Sequence, residues 1–286
     1  MNLNTAVVAA SSKWRLNRRR RIMLIMGSGL LILAAITIGG ILMDSALYAP
    51  NYDFRSQAPS WKHPFGTDYL GRDMFFRTMA GLSLSIRVGL LAATVSSVIA
   101  LVLGSLSAVF GGKVDTAVNW LVDLCMGIPH MILLILISIA LGGGAVGVIT
   151  GVAVTHWPSL TRVIRAEVMQ VRSAHYVQLA RALGKSPWYV AASHIIPHVL
   201  PQYLVGLILL FPHAILHEAG ITFLGYGLPL EVPAVGVILS ESMKHLATGM
   251  WWLAFFPGLA LLLVVMLFDL IGDYLKILID PYAAHE

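Results

Sequence analysis

The sequence predicts an all-α integral membrane protein with six transmembrane helices. Composition points there first: of 286 residues, 58% are hydrophobic and only 12% charged, where a soluble chain carries roughly 25% charged residues. The mean hydropathy is +0.81. Several runs without Asp, Glu, Lys or Arg are long enough to cross a bilayer, which takes about 20 apolar residues. The basic residues cluster beside those runs, so the net charge of +5 suits a membrane surface rather than nucleic acid. An ordinary soluble enzyme, a disordered chain and a disulfide scaffold are excluded. The single cysteine, Cys125, cannot form an internal disulfide and leaves the redox compartment open.

Ile22–Met43 is the first span, preceded by Arg18, Arg19, Arg20 and Arg21. At 22 residues it exceeds a signal-peptide h-region of about 7–15 residues, and no clear cleavage site follows, so it predicts an uncleaved helix. Val88–Gly112 is the second. Leu124–Leu160 holds 37 residues without a formal charge, too many for one helix. Gly142-Gly143-Gly144 divides it into a third and a fourth. Ser186–His217 holds the fifth, from near Pro197, and His245–Phe268 the sixth. The organisation expected is a basic N-terminus (1–21), a first helix (22–43), an outer segment (44–81), a five-helix core (82–275) with an inner loop (169–195), and a C-terminus (276–286). A further outer segment, 219–249, contains Gly225, Gly227, Pro229 and Pro233. No repeat or low-complexity tract is present.

Six spans place both termini on one side. With that side cytoplasmic, the inner segments carry 13 of the 19 Lys and Arg residues, the bias that basic residues show for the inside. The outer segment is near neutral, with Arg55, Lys62, Arg72 and Arg77 facing Asp44, Asp53, Asp68 and Asp73. Arg162 and Arg165 are expected to end the fourth span, where positive charge suits a helix C-terminus. Trp157, Trp251 and Trp252 are expected as interface anchors or packing.

Within the inner loop, Ala174–Gly184 predicts a short amphipathic helix. Tyr176, Leu179, Ala180 and Leu183 recur at helical spacing, and Gly184 suits the left-handed position past a helix end. Gln178-Leu179-Ala180, Gly184 and His194-Ile195-Ile196-Pro197 resemble the cytoplasmic signature of ABC importer permeases: EAA, three residues, G, nine residues, I-x-L-P. Gln178, Leu179, His194 and Ile196 depart from it, as do sequences in the dipeptide, oligopeptide and nickel branch. The resemblance implies that Tyr176, Gln178, Leu179, Ala180, Arg181, Gly184 and Pro197 couple the chain to an ATPase subunit. The bland alternative is a helix lying on the lipid surface. Gly184-Lys185-Ser186 is not a phosphate loop, because G-x-x-x-x-G-K-[ST] needs glycine where Leu179 stands. ATP and magnesium would then bind a separate chain.

His63-Pro64-Phe65-Gly66-Thr67-Asp68-Tyr69-Leu70-Gly71-Arg72-Asp73-Met74-Phe75-Phe76-Arg77 is similar to the H-x-x-G-T-D-x-L-G-R-D-x-x-S-R block of that branch, with Phe76 in the place usually held by Ser, and is expected to form a salt-bridged cap on the second span. Gly220–Gly227, Pro257-Gly258, Asp269–Leu275 and Asp280-Pro281 also resemble it, so the likeness runs from about residue 60 to the C-terminus. It implies the transmembrane domain of a type I ABC importer in a bacterial cytoplasmic (inner) membrane. It also implies no catalytic residue and no cofactor bound by this chain. The implied partners are a second homologous permease, two ATPase subunits and an extracytoplasmic solute-binding protein, with lipid around them.

Ionisable groups inside spans are costly and are functional candidates by default. Here they are Asp123, His130, His156, His213, His217, Glu218 and Asp269. His213 and His217 are four apart, on one helix face. Imidazole and carboxylate together suit nickel or a related divalent ion, and nickel-transporting members of the family resemble this chain in their histidines. His156, His213, His217 and Glu218 are therefore expected to line the translocation path, with the three histidines as transient metal ligands. The expected solute is nickel or another divalent metal, free or chelated; the alternative is a dipeptide or oligopeptide. The histidines would otherwise serve only interhelical hydrogen bonding. Rival readings are a stand-alone secondary transporter or channel, and an intramembrane enzyme. Asp123 and Asp269 are expected in helix-end pairing or at the ATPase interface.

Overall fold

A computed structural model describes residues 18–279. Lys13, Arg15 and the Asp280-Pro281 ending lie outside the described residues. The order is α1 (Arg18–Leu42), α2 (Met74–Phe110), α3 (Gly112–Gly127), α4 (His130–Ala140), α5 (Gly144–Thr155), α6 (Trp157–Ser173), α7 (His175–Ala182) and α8 (Pro187–Val190). A π turn over Ala191–Ile195 then leads into α9 (Ile196–Phe223), followed by α10 (Val235–Met243) and α11 (Trp252–Ile279). Among the described residues the only β pairing is one isolated bridge, Thr67 to Asp73. The all-helical class expected from the sequence is what forms.

Not every one of the six expected crossings is a single continuous helix. Four helices are long and apolar enough to span a membrane, and a fifth if α3 and α4, bent by 95°, count as one. The long uncharged run is broken three times rather than once. Pro129 has no N–H to continue α3 and ends it at Gly127-Ile128. Gly142, Gly143 and Gly144 all take positive φ, which permits the tight reversal between α4 and α5. His156 closes α5 and opens α6, whose second residue is Pro158. The expected fourth span is thus two shorter helices joined at a histidine.

The second helix begins fourteen residues before its apolar run, because the Asp73 carboxylate caps it by accepting from Phe75 N–H and Phe76 N–H. Its 37 residues reach about 55 Å at 1.5 Å per residue, beyond a hydrocarbon core of about 30 Å. It is the central post. It packs against α1, α5, α6 and α9, while α11 closes against α1 and α9. Small residues allow the approach: a Cβ on Gly104 would stand 2.8 Å from the Thr161 carbonyl oxygen and 3.0 Å from Ile164 Cβ, the pattern of helices packed in lipid. One core layer joins Ala92, Ala100, Val122, Leu134, Val152 and Ile164; a second joins Leu33, Ile86, Ile215, Phe268 and Ile271. Leu24, Leu31, Ile38, Leu262 and Met266 point outward instead, as a lipid-facing surface requires.

Outer loops are pinned by few bonds. Ser138 Oγ donates to the Tyr226 carbonyl at 2.8 Å, and Gly144 N–H to the Gly227 carbonyl at 3.0 Å. The glycine break between α4 and α5 is therefore held to the Gly220–Gly227 block. Within 219–249 the chain forms α10, whose Val235, Val237 and Ile238 are buried.

Candidate functional site

Two of the helix breaks create the site. The bend after α3 places His130 at the first turn of α4, and the junction of α5 and α6 is His156 itself. His217, from α9, completes a cluster. The three rings stand edge to face, with centroids 4.5 Å apart for His130 and His156, 4.6 Å for His130 and His217, and 4.9 Å for His156 and His217. One ring nitrogen of each lies within 4.8 Å of the others. They border a cleft of about 650 Å³, which Cys125, Met126 and His213 also line.

Hydrogen bonds fix the tautomers of two rings. His156 Nδ1 lies 2.9 Å from the Val152 carbonyl oxygen, and His217 Nδ1 lies 2.7 Å from that of His213. A carbonyl only accepts, so both Nδ1 atoms carry hydrogen and both Nε2 atoms keep a lone pair. His156 Nε2 is 3.4 Å from His217 Nδ1. His130 Nε2 is buried without a hydrogen-bond partner.

Of the residues expected on the path, the structure brings His156 and His217 together and leaves His213 at the cleft wall. It places Glu218 elsewhere. One residue on from His217, its side chain turns inward and is fully buried. The Thr222 hydroxyl donates to Glu218 Oε1 at 3.0 Å and accepts from Leu228 N–H at 3.1 Å, so Glu218 supports the turn after α9. His130 was visible only as an ionisable residue in an apolar run; nothing in its spacing joins it to His156 or His217.

Arg162 and Arg165 do not end a helix, because α6 continues to Ser173. They cross instead to α3. Arg162 pairs with Asp123 at 2.6 Å, and Arg165 holds Asp115 through two bonds of 2.6 and 2.7 Å, the bidentate geometry that favours arginine. Helix-end pairing was expected of Asp123; Asp115 was not foreseen.

The inner loop forms its helix over His175–Ala182. Gly184, at φ +76°, closes it: Lys185 N–H donates to the Ala180 carbonyl and Gly184 N–H to that of Arg181. Val177 and Ala180 face inward onto Val171, Val190 and Ile195. Leu179, Leu183 and Trp188 face away and are 60%, 71% and 78% exposed; Tyr176, Gln178, Arg181 and Pro197 are exposed beside them. The expected apolar stripe is therefore divided between an inner and an outer face.

The outer cap is an ionic network. Asp68 Oδ2 accepts from Arg72 Nε at 2.6 Å and lies 3.4 Å from Arg77 Nη1. Glu241, from α10, receives both arginines, at 2.9 Å from Arg72 and 2.7 Å from Arg77. Burial alone would lower the Arg72 guanidinium, but Asp68 and Glu241 outweigh it and its pKa lies above the ordinary value. Asp73 pairs with His63 at 2.7 Å instead of an arginine. Trp252 Nε1 donates to the Thr67 carbonyl at 3.2 Å, so this tryptophan is buried packing, whereas Trp251 is exposed.

The model of the family described as binding-protein-dependent transport system inner membrane component matches residues 100–281. The oligopeptide transport system permease protein OppC of Bacillus subtilis is 31% identical over 280 residues, covering 94% of this chain and 92% of that one. The dipeptide transport system permease protein DppC of the same organism is 28% identical over 272 residues, covering 94% and 84%. Among solved structures, an inward-facing MetNI methionine ABC transporter superposes with a TM-score of 0.58 at 19% identity, covering 70% of this chain and 94% of that one. That last likeness is one of fold.

Proposed function

Because this chain belongs to the family of binding-protein-dependent transport system inner membrane components, we propose that it is one of two permease subunits of an ATP-driven importer, with peptides as its solute class. The relatives' names, dipeptide and oligopeptide permeases, favour peptides over the bare nickel or other divalent ion expected from the histidines. The cleft between α3, α4, α6 and α9 is then this subunit's share of the path, completed by a second homologous permease. Solute arrives from an extracytoplasmic binding protein. Two ATPase subunits dock below and drive alternating access as a rigid-body motion. Both termini lie in the cytoplasm, with α3–α4 and α5–α6 each making one crossing.

The observation that carries this reading is the outward apolar face of α7. Leu179, Leu183 and Trp188 lie within ten residues of one another on a helix–turn already anchored by Val177. A monomeric surface rarely leaves such residues together without a partner. Leu179→Asp is the test, in vesicles containing both permeases and the ATPases. Uptake of a labelled dipeptide should require ATP and fall at least about tenfold, as the loss of a buried anchor of 1.4 kcal/mol or more implies. The permease pair should still assemble. Uptake that proceeds without ATP would instead establish a stand-alone transporter.

A further inference from the structure

We propose that the cytoplasmic end of α2, the first turns of α3 and the helix α7 together bind an anionic phospholipid of the inner leaflet. Lys113, Arg172 and Arg181 hold its phosphate, and the groove beside Trp120 takes its acyl chains. The inference rests on the permease reading only for which side of the membrane is cytoplasmic.

Three features support it. The first is uncommitted positive charge. Arg162 and Arg165 are occupied by Asp123 and Asp115, but among the described residues no carboxylate pairs with Lys113, Arg172 or Arg181. Arg172 donates to the Ala108 carbonyl. Arg172 and Arg181, with Ser107 and Ser173, line a cleft of about 330 Å³, and the forked guanidinium suits a phosphate. Asp115, on the same wall, is neutralised by the two bonds from Arg165. The second feature is the order of side chains along α3. Lys113, Ala117, Trp120 and Leu124 share one helix face, and all four are exposed. A cation at the cytoplasmic end, then a tryptophan about 10 Å along the axis, then leucine is the order of a membrane interface. The third is the groove. Lys113, Thr116, Ala117 and Trp120 border an open cleft of about 690 Å³, next to the exposed Val109 and Phe110 at the end of α2. Both clefts border the first turn of α3, one through Gly111 and Asp115, the other through Gly112 and Lys113. A headgroup over that turn meets the arginines while its chains run past Trp120. The inner leaflet is anionic, and basic pockets between membrane helices on that side hold its headgroups. An acidic segment of an ATPase subunit would satisfy the arginines but leave the groove bare; a phospholipid covers both.

The test uses the assembled transporter in nanodiscs of brominated phosphatidylcholine, whose bromines quench a tryptophan that they touch. Trp120 emission is the difference between the unsubstituted transporter and Trp120→Phe. Unbrominated phosphatidylglycerol should relieve its quenching at a lower mole fraction than unbrominated phosphatidylcholine. The preference expected is at least about fivefold, the contribution of one basic side chain near a membrane surface. Lys113→Gln combined with Arg181→Gln should abolish the preference; both side chains are exposed, so the substitutions remove charge without removing a packed group. Arg19→Gln, Arg20→Gln and Arg21→Gln together, at the start of α1, should leave it unchanged. Trp120 emission that brominated lipid does not quench shows a protein covering α3 and overturns the proposal. Equal relief by the two lipids overturns it as well. So does a preference that survives the double substitution, or one that falls as much with the α1 arginines, which would make it diffuse surface charge rather than a site. ATP-driven dipeptide uptake is measured in vesicles from the same preparation. Uptake with no lipid preference at Trp120 overturns this inference and leaves the permease; the preference without ATP-driven uptake does the reverse.

Discussion

Arg77 shows how a single residue joins distant parts of this chain. It is buried near the start of α2, between Asp68 of the outer segment and Glu241 of α10. Removing one member of a buried ionic group leaves its partners uncompensated, at about 3–5 kcal/mol. Arg77→Ala should therefore lower the unfolding temperature of the purified chain markedly. Replacing Arg77 and Glu241 together by residues of similar volume should recover much of the loss, which a double-mutant cycle on thermal stability measures. Additive losses would show that the two do not act as a unit. Thr222 has a comparable part on a smaller scale, since one hydroxyl serves both Glu218 and Leu228.

At the scale of elements, helix breaks matter as much as helices. The bend at Gly127–Pro129 and the junction at His156–Pro158 present ring nitrogens that a continuous helix would have carried to separate levels. Close helix approach is the complementary requirement. Gly104 lets α2 meet α6 where a Cβ would collide with the Thr161 carbonyl. Gly104→Leu adds a side chain with no room and should cost at least about 1–3 kcal/mol by overpacking. Chemical denaturation of the detergent-solubilised chain is the check, with Gly127→Leu, where a Cβ meets nothing within 4 Å, as the comparison expected to cost less.

For the whole molecule, the proposed alternating access has a built-in reporter. Cys125 is the only cysteine and lines the histidine cleft. If the cleft opens and closes as the two permeases rock, its exposure to water changes with the nucleotide state of the ATPases. Labelling by a membrane-impermeant maleimide, with the partner subunits made cysteine-free, should change several-fold between the nucleotide-free and ATP-trapped transporter. A rate that does not change would place Cys125 outside the moving cleft. The peptide class proposed for the solute belongs to this scale too, because the proposed path lies between two permeases.

The sequence by itself determined the membrane class, the helical content, the short inner helix and its glycine stop. Each depends on local pattern: run length against bilayer thickness, period 3.6, and the left-handed freedom of Gly184. It also marked His156 and His217, since an ionisable side chain in an apolar run is conspicuous wherever it points. Tertiary structure alone decided which of the conspicuous residues meet. His130, His156 and His217 lie on three helices far apart in the chain, and their convergence depends on the angle of a proline bend. His217 and Glu218 are neighbours in sequence yet face opposite environments, because one residue turns the helix by about 100°. Asp115 and Glu241 had no local signal, as their arginine partners are brought to them only by the packing of α6 on α3 and of α10 on α2. Helix continuity was likewise beyond composition: an uncharged run shows what lipid tolerates, while prolines and the side chains around them decide where the helix breaks.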